Sequence, residues 1–333
     1  MTRQLSISQR REVPWLGIGT SGLWTDYREA LADSQLDFLV EPKDAKVEIQ
    51  TTFPGNGTLP PVFSVGIMNP VHYETVPGIQ VNLRQSDNKI LGCVSSQYGI
   101  IQNQEAFKLL EPFTQIGGKI TNAGMTEQGL VFMVLRLRQE NILGDDWNID
   151  VMCTNSFNGM FPCALMIVPT RIICQNMYRS LMGGGADSVL RIRHGGLAQQ
   201  RLDAAQVVTG GIMSYISAFG ATLEKARANK ISSSEVEGRV LPILFPYPKP
   251  GGEREQMSRE RVDALRQEFM DVYYDATDNR KFHGTGMGFI NAYYDYLSHR
   301  NPTKCMPGSW FDRRLSGLVS GNDVKVSAIK AVM

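Results

Sequence analysis

The hydrophobic and polar positions of this 333-residue chain alternate with a period of two through much of its middle third. Residues 79–101 and 119–139 each contain two alternating runs separated by a polar turn, at 86–89 (SDNK) in the first and near Glu127–Gly129 in the second. Such alternation is typical of half-buried strands joined as β-hairpins. Apolar residues at helical spacing in 104–115 predict a short helix between the two hairpins.

Two further strands are predicted in the stretch that follows, at 150–154 and from Cys163 onward, with a polar turn between them. Pro169 interrupts the second run, and proline within a strand indicates an edge, a bulge or a break. After residue 200 the apolar spacing becomes helical, at 197–228, 259–274 and 286–300.

This order of elements predicts an α+β fold: a meandering, mostly antiparallel sheet with helices packed on one face, followed by a helical C-terminal part. Tyr27 and Leu31 lie on one face of a predicted helix near the N-terminus, with Asp26 as its N-cap. The pattern divides the chain into three parts. They are an N-terminal arm with a small α+β segment (1–78), a central β-rich core with a polar turn and a glycine-rich loop (79–200), and the helical part (201–333).

Composition excludes several classes of protein. A hydrophobic content of 42% and a charged content of 20% are typical of a folded globular chain. The net charge of +1 gives no global signal for nucleic acid, so any such surface must be a local patch. No run is apolar enough for a membrane span and no secretory signal is visible, so we expect a cytoplasmic protein without membrane contact.

The five cysteines and four histidines do not form a recognisable metal or cofactor site. No cysteine pair has Cys-x-x-Cys spacing, the histidines are dispersed, and no metal or cofactor is therefore expected. Cysteines in apolar runs are usually core residues, and we expect all five to be reduced and unpaired. Cys174 is the best candidate for a reactive thiol, although the core interpretation is preferred for it too.

The most unusual stretch of the chain is 152–201, where polar side chains interrupt apolar strands. A local basic cluster predicts nucleic-acid or anion binding on one continuous positive face, with a merely solvated surface as the alternative; its members are Arg171, Arg179, Arg191, Arg193 and His194. The triple glycine at 183–185 is consistent with a phosphate cradle or a plain surface loop, and the strand and helix context of a Walker loop is missing.

A second set of polar residues, bracketed by apolar strand residues, predicts either an internal hydrogen-bond network or a site. Its members are Asn155, Ser156, Gln175 and Asn176. Burying such groups without partners costs about 1–3 kcal/mol each, so they must be paired or solvated. We expect Asn155, Arg171 and Asn176 to converge under the glycine-rich loop. Ser156 lacks the G-x-S-x-G spacing of a nucleophile elbow, and no catalytic residue is assigned.

Several motifs taken together resemble an uncharacterised family, the phage/plasmid-like proteins of phages, prophages and plasmids, known as a domain of unknown function. They are LGCVSSQYGIIQNQEAF at 91–107, the Asn-Ser-x-x-Gly turn at 155–159, RIICQN at 171–176, IRHGG at 192–196 and INAYYDYLSH at 290–299. The resemblance implies a mobile-element protein with no established activity. Its turn usually reads Asn-Ser-His-Asp-Gly, whereas this chain has Phe157 and Asn158. Loss of a general base and a carboxylate favours a binding or structural role.

The leading hypothesis is a phage- or plasmid-encoded protein that binds nucleic acid, in the form of single-strand binding or annealing during recombination or replication. The order of elements is broadly similar to phage single-strand annealing proteins, which implies a homo-oligomer. One alternative is an enzyme acting on a nucleotide or small molecule at Asn155, Ser156, Cys174 and His194, although an enzymatic activity is not favoured. Another is a virion or host-takeover protein that works through protein contacts alone.

Overall fold

The structure of the chain is a computed structural model. It describes residues 13–49, 72–173, 176–177, 189–195, 212–248, 255–275, 277–297, 312, 315, 317–319 and 326–333. Within these ranges the chain forms two open antiparallel sheets and a set of helices, so the predicted α+β class is confirmed.

The larger sheet has the strand order β1-β5-β6-β7-β8-β10, with β9 also paired to β8, and the smaller one has the order β2-β3-β4. The strands are β1 (Thr20–Trp24), β2 (Val40–Ile49), β3 (His72–Arg84), β4 (Ile90–Ser95), β5 (Lys119–Met125), β6 (Leu130–Ile142), β7 (Asp145–Ser156), β8 (Cys163–Arg171), β9 (Asn176–Met177) and β10 (Val189–Ile192). Both predicted hairpins are present, as β3–β4 and β5–β6.

The sequence pattern did not predict the long hairpin that β6 forms with β7. Its two strands pair from Leu130 with Ser156 to Ile142 with Asp145. The connecting residues Leu143 and Gly144 both have positive φ, 56° and 79°. This is the backbone of a two-residue hairpin turn, which usually carries Asn-Gly or Asp-Gly. Leucine at its first position hid the turn from a reading of the sequence.

Strand β8 pairs with β7 along one side, but its pairing on the other side is interrupted around Pro169. Its first four residues pair with β10 and its last two pair with β9, while Pro169 is paired only with Ile149 of β7. Proline has no N–H to donate, so it fits where one side of a strand has no partner in the ladder. The expected edge or break at Pro169 is confirmed within the described strands.

Helices are present at the predicted positions 104–115, 259–274 and 286–300 and over the described part of 197–228, whereas the helical turns at 233–244 were not predicted. The described helices are α1 (Tyr27–Asp33), α2 (Asn103–Phe107), α3 (Glu111–Gln115), α4 (Ile212–Ala228), α5 (Ser233–Glu235), α6 (Leu241–Leu244), α7 (Glu255–Asp275), α8 (Gly286–Asp295) and α9 (Val326–Lys330), with 3₁₀ turns at Pro14–Gly17, Lys108–Leu110 and Thr277–Phe282 and a π-helical turn at Val236–Val240. Asp26 caps α1 as predicted, since its Oδ1 accepts from the backbone N of Arg28 at 2.8 Å. None of the described helices is both long and apolar enough to cross a membrane.

The large sheet is buried on both faces, and alternate residues of its central strands enter different cores. On β6, Val131 and Met133 face the larger core, which also contains Phe219 of α4 and Phe289 of α8. Their neighbours on the opposite face belong to a smaller core that includes Trp15. The main helices therefore cover one face, and the N-terminal 3₁₀ turn helps to cover the other. Burial on both faces explains the nearly continuous apolar runs of β6 and β8.

The three sequence segments meet in the larger core. Leu31, Ile149 and Phe219, one from each segment, belong to the same buried cluster. In addition, β3 runs without interruption through the boundary at 78/79. The helical part therefore packs on the central sheet, and the small sheet begins in one segment and ends in the next.

One carboxyl within the large sheet is buried almost completely. Asp150 of β7 accepts hydrogen bonds from the Nε and Nη2 atoms of Arg136, which lies opposite it on β6. Burial raises the pKa of Asp150 to about 6, and Arg136 opposes this increase only in part. Ionised Asp150 is thus a net cost to the folded state at neutral pH.

We expect the protein to gain stability relative to an Asp150→Asn variant as the pH falls. A folded-state pKa of about 6, above the unfolded value of 3.8, means that the favourable contribution is complete below about pH 4 and is lost as the pH rises through 6. The difference in free energy of unfolding between the two proteins should change by about 1 kcal/mol per pH unit in this window. Urea denaturation at several pH values measures it, and parallel profiles would contradict the assignment.

Candidate functional site

The end of β7, where the chain enters the turn to β8, carries the buried amide of Asn155, whose nitrogen is bound within the protein and whose Oδ1 has no partner among the described residues. Asn155 donates through Nδ2 to the carbonyl O of Ile101 at 2.9 Å and to Oδ1 of Asn103 at 3.1 Å. Asn103 in turn donates to the carbonyl O of Leu36 at 2.8 Å. This chain of hydrogen bonds joins the turn to the start of α2 and to the segment before β2. Asn155 therefore has a structural role.

The next two residues, Ser156 and Phe157, accept hydrogen bonds from the small sheet and from the loop after it. The carbonyl O of Ser156 accepts from the hydroxyl of Tyr98 at 2.8 Å, and that of Phe157 accepts from Nδ2 of Asn82 on β3 at 2.7 Å. The Ser156 hydroxyl donates to the carbonyl O of Phe161 at 2.6 Å and is buried. Both sequence-predicted polar residues of this turn, Asn155 and Ser156, are therefore engaged inside the protein.

Phe157 and Asn158 occupy the positions where the resemblance led us to expect His and Asp. Phe157 is buried in the larger core, with its ring 5.9 Å from that of Phe38. Asn158 donates to the carbonyl O of Gln128 at 2.6 Å. A Cβ atom on Gly92 of β4 would lie 2.4 Å from the Cα of Asn158, so β4 can approach the turn only because residue 92 is glycine.

Arg171 does not belong to an accessible basic surface. Its side chain is fully buried at the end of β8. Its Nε donates to Asp145 at 3.0 Å, its Nη1 donates to the Asp278 carboxylate at 2.8 Å, and its Nη2 donates to the Asp278 carbonyl at 2.9 Å. Lys281 adds a further bond to Asp145 at 2.7 Å. This ionic cluster attaches the sheet to the 3₁₀ turn before α8.

The expected continuous positive face and the expected convergence of Arg171 with Asn155 are both wrong. Arg171 lies seven residues along β8 from Ala164, the partner of Arg191, which corresponds to roughly 23 Å of strand. Asn155 lies eight residues along β7 from Trp147, the partner of Arg171, or roughly 26 Å. The two buried polar groups are therefore at opposite ends of the sheet, each with its own partners.

Some of the predicted site residues lie outside the described residues: Cys174, Gln175, Arg179 and the glycines at 183–185. The cysteine Cys305 lies outside them as well. For Asn176 the backbone position is described, opposite Arg171 in the β8–β9 pair, and its side chain is not.

The remaining members of the basic cluster are at the surface. Arg191 on β10 and Arg193 just after it are both exposed, while Ile192 between them is buried in the larger core. Strand β10 pairs with β8 at the margin of the large sheet. These two guanidinium groups are therefore available to a ligand.

His194, the next residue, forms one wall of an open pocket of about 780 Å³, which we call the His194 pocket. Its lining among the described residues is Ser95, Ser96, Gln97, Tyr98, Gly99, His194 and Gly195. The His194 ring stacks on Tyr98, with 4.7 Å between ring centroids. A Cβ on Gly99 would lie 2.6 Å from the carbonyl O of Gly195, so the two loops can meet only with glycine at 99.

The imidazole of His194 is uncharged at neutral pH. Burial lowers its pKa to about 4, despite a hydrogen bond with the backbone of Gly99. Nδ1 lies 3.2 Å from the Gly99 carbonyl O, so Nδ1 carries the proton and donates. Nε2 is then the acceptor, and it is buried without a partner among the described residues. The expectation that His194 adds positive charge to an anion site is therefore corrected.

Sequence reasoning did not include Tyr98 or the 95–99 loop in the site. These residues lie nearly one hundred positions before His194, and only the chain's folding brings them together. An aromatic residue followed by glycine just after a strand, as in Tyr98-Gly99, was the one available signal.

The cysteines follow the core interpretation only in part. Cys153 and Cys163 are unpaired and buried, and burial raises the pKa of both thiols. Cys93 is also unpaired, but it is exposed on β4, so its assignment to the core is wrong. In the described part of the chain, no group of three or more His, Cys, Asp or Glu side chains is arranged to hold a metal.

These features define an α+β protein in which two antiparallel sheets meet at a buried turn beside an open, uncharged pocket. A family described as a domain of unknown function (DUF932) matches residues 90–318, which include the turn and the whole lining of the pocket. The chain belongs to this family. No curated protein and no solved structure matches it.

Replacing Asn155 with alanine should lower the free energy of unfolding by about 1–3 kcal/mol, because the carbonyl of Ile101 and the amide of Asn103 would lose a buried partner. Chemical denaturation measures the change. Asn141→Ala is the matched control, since Asn141 makes an exposed hydrogen bond to Asp146 on the same hairpin. The control should change stability by less than about 0.5 kcal/mol. Equal effects of the two substitutions would argue against a structural role for Asn155.

Replacing Arg171 with alanine should cost about 3 kcal/mol, because the Asp278 carboxylate would lose its guanidinium partner and buried Asp145 would keep only Lys281. Arg191→Ala is the control, because Arg191 is an exposed arginine on β10, opposite Ala164 at the other end of β8. This substitution should be close to neutral for stability. Thermal denaturation of both variants measures the difference between removing a buried and an exposed arginine. A wild-type melting temperature for the Arg171 variant would contradict its burial in an ionic cluster.

Proposed function

We propose that this protein binds single-stranded nucleic acid on a surface formed by Arg191, Arg193 and the His194 pocket. The observation that carries this proposal is the position of two exposed arginines directly before His194, beside a pocket whose described lining contains no acidic side chain. Arginine neutralises phosphates and supplies most of the affinity in sequence-independent binding.

The local character of this charge fits the composition of the chain. A net charge of +1 cannot attract nucleic acid over the whole surface, so binding depends on a short basic segment. Contact with few phosphates gives weak binding per protein copy. Assembly of several copies along one strand raises the affinity, which is why the proposal includes a homo-oligomer.

The cellular setting is a finer part of the same proposal. The sequence motifs at 91–107, 155–159 and 192–196 resemble phage- and plasmid-encoded proteins, and we place the protein in recombination or replication of such an element. Annealing of complementary strands is the activity to assay first. This part of the proposal rests on the resemblance alone.

The enzymatic alternative is less well supported by the geometry. The hydroxyl of Ser156 and the amide nitrogen of Asn155 already donate buried hydrogen bonds to backbone carbonyls of the protein. Neither can act on a substrate without breaking the turn. The neutral imidazole of His194 lies near the pocket, but the described lining supplies no nucleophile beyond the ordinary hydroxyls of Ser95, Ser96 and Tyr98.

A role in protein contacts has one specific observation in its favour, the exposed ribbon formed by β2 and β3. Val47 and Tyr73 on this ribbon are 50% and 56% exposed. Its four acidic residues outnumber its three basic ones, Lys43, Lys46 and Arg84, so the ribbon offers no basic patch for nucleic acid. Sedimentation of a Val47→Ser/Tyr73→Ser variant against wild type would show whether the ribbon mediates self-association.

The double substitution Arg191→Ala/Arg193→Ala should lower the affinity for a single-stranded oligonucleotide by roughly tenfold or more, because two charge-assisted phosphate contacts are lost. The slope of log affinity against log salt concentration should become shallower by about 1.4, for two fewer phosphate contacts on a single strand. Fluorescence anisotropy at several salt concentrations measures both quantities.

The control for this experiment is Arg227→Ala, which removes an exposed arginine from the last turn of α4. It should leave both affinity and salt slope near the wild-type values. Wild-type binding by the double variant, with an unchanged melting temperature, would remove Arg191 and Arg193 from the interface and with them the proposed function.

A further inference from the structure

We propose that the His194 pocket takes up one unpaired nucleobase of the bound strand, while Arg191 and Arg193 hold the neighbouring phosphates. This inference rests on the proposed function and adds to it the part of the ligand that each group recognises. It also predicts that the protein prefers a single strand to a duplex.

The described lining of the His194 pocket is polar but uncharged. Ser95, Ser96 and Gln97 offer hydroxyl and amide groups, and His194 is neutral because its pKa lies near 4. No side chain of the described lining carries a charge at pH 7. Such a surface cannot neutralise a phosphate, but it can form hydrogen bonds to the polar edge of a base. Phosphate and base are therefore recognised by different residues.

The size of the His194 pocket also suits a base with its sugar. The pocket volume of about 780 Å³ lies within the range of roughly 300–1,000 Å³ that is usual for sites that bind small organic ligands. A lone inorganic anion would leave most of it open to water. A base with its sugar fills a much larger part, and the open mouth lets the strand continue on either side.

The path between the two kinds of contact is short. Arg193 directly precedes His194, so their Cα atoms are about 3.8 Å apart. Arg191 is two residues further back on the exposed margin of β10. The Cα atoms of both arginines therefore lie within about 11 Å of that of His194, a span short enough for adjoining phosphates of one strand to reach them.

The ring of His194 has a fixed orientation beside the pocket. The bond from Nδ1 to the Gly99 carbonyl and the stack on Tyr98 hold the ring in one orientation. Nε2 is buried, so the neutral ring presents no charge to the pocket and attracts no phosphate. In a duplex the bases are paired and stacked, so an unpaired base enters the pocket at lower cost.

The test compares two fluorescently labelled strands of equal length, an ordinary deoxyoligonucleotide of mixed sequence and a strand of abasic nucleotides with the same phosphates. Anisotropy titrations with the full-length chain should give an affinity for the ordinary strand about tenfold or more above that for the abasic strand, since each stacked or inserted base adds an increment of this order. The salt slopes of the two titrations should be the same, because the phosphate contacts are the same.

Ser96→Leu supplies a second measurement that does not depend on removing His194. Residue 96 is exposed in the turn after β4, so leucine there narrows the pocket without entering the core. The variant should bind the ordinary strand as weakly as the abasic one and bind the abasic strand as wild type does. Ser217→Leu, at an exposed position of α4, is the matched control and should change neither affinity.

The failures of the two proposals are distinguishable. Equal affinity for the ordinary and the abasic strand would overturn base insertion and leave phosphate binding in place. Equal loss of both affinities in Ser96→Leu would likewise overturn it. Undetectable binding of both strands would refute the proposed function itself.

Discussion

The arrangement of the two sheets depends on the hydrogen bonds of one buried turn, residues 155–161. Residues 155–157 of this turn are buried, and buried polar groups are usually bound within the protein. The Nδ2 atom of Asn155 is bound at the start of α2, and the carbonyls of Ser156 and Phe157 are bound by Tyr98 and by Asn82 of β3. Because these partners belong to the small sheet and the loop after it, the turn fixes where the small sheet meets the large one.

The pocket is a consequence of that junction. Tyr98 is held by the turn through its hydroxyl, and its ring provides the surface on which His194 stacks. The close approach of Gly99 to Gly195 then joins the 95–99 loop to the end of β10. A rigid supporting structure of this kind positions loop groups for binding, which is the usual relation between a scaffold and a site. The ligand surface and the structural turn are thus adjacent but use different atoms.

Electrostatics in this protein is decided by local environment more than by residue type. Arg171 and Arg193 carry the same charge, yet one is enclosed by Asp145 and Asp278 and the other faces solvent. A buried guanidinium must be fully paired, and once paired it has no capacity left for a phosphate. His194 shows the same effect for protonation, because burial keeps its ring neutral and changes the kind of partner that it can accept.

The sequence by itself determined part of the elements. Period-two alternation placed the β3–β4 and β5–β6 hairpins with their turns, helical spacing placed α2 to α3 and α7 to α8, and Asp26 marked the start of α1, because these signals depend on neighbours within a few residues. It also indicated that Asn155 and Ser156 need partners, but not which ones. The tertiary structure alone decided the burial of Arg171, the exposure of Cys93 and the meeting of Tyr98 with His194. These features depend on strand order and on contacts across about a hundred residues, and no local pattern in the sequence contains that information.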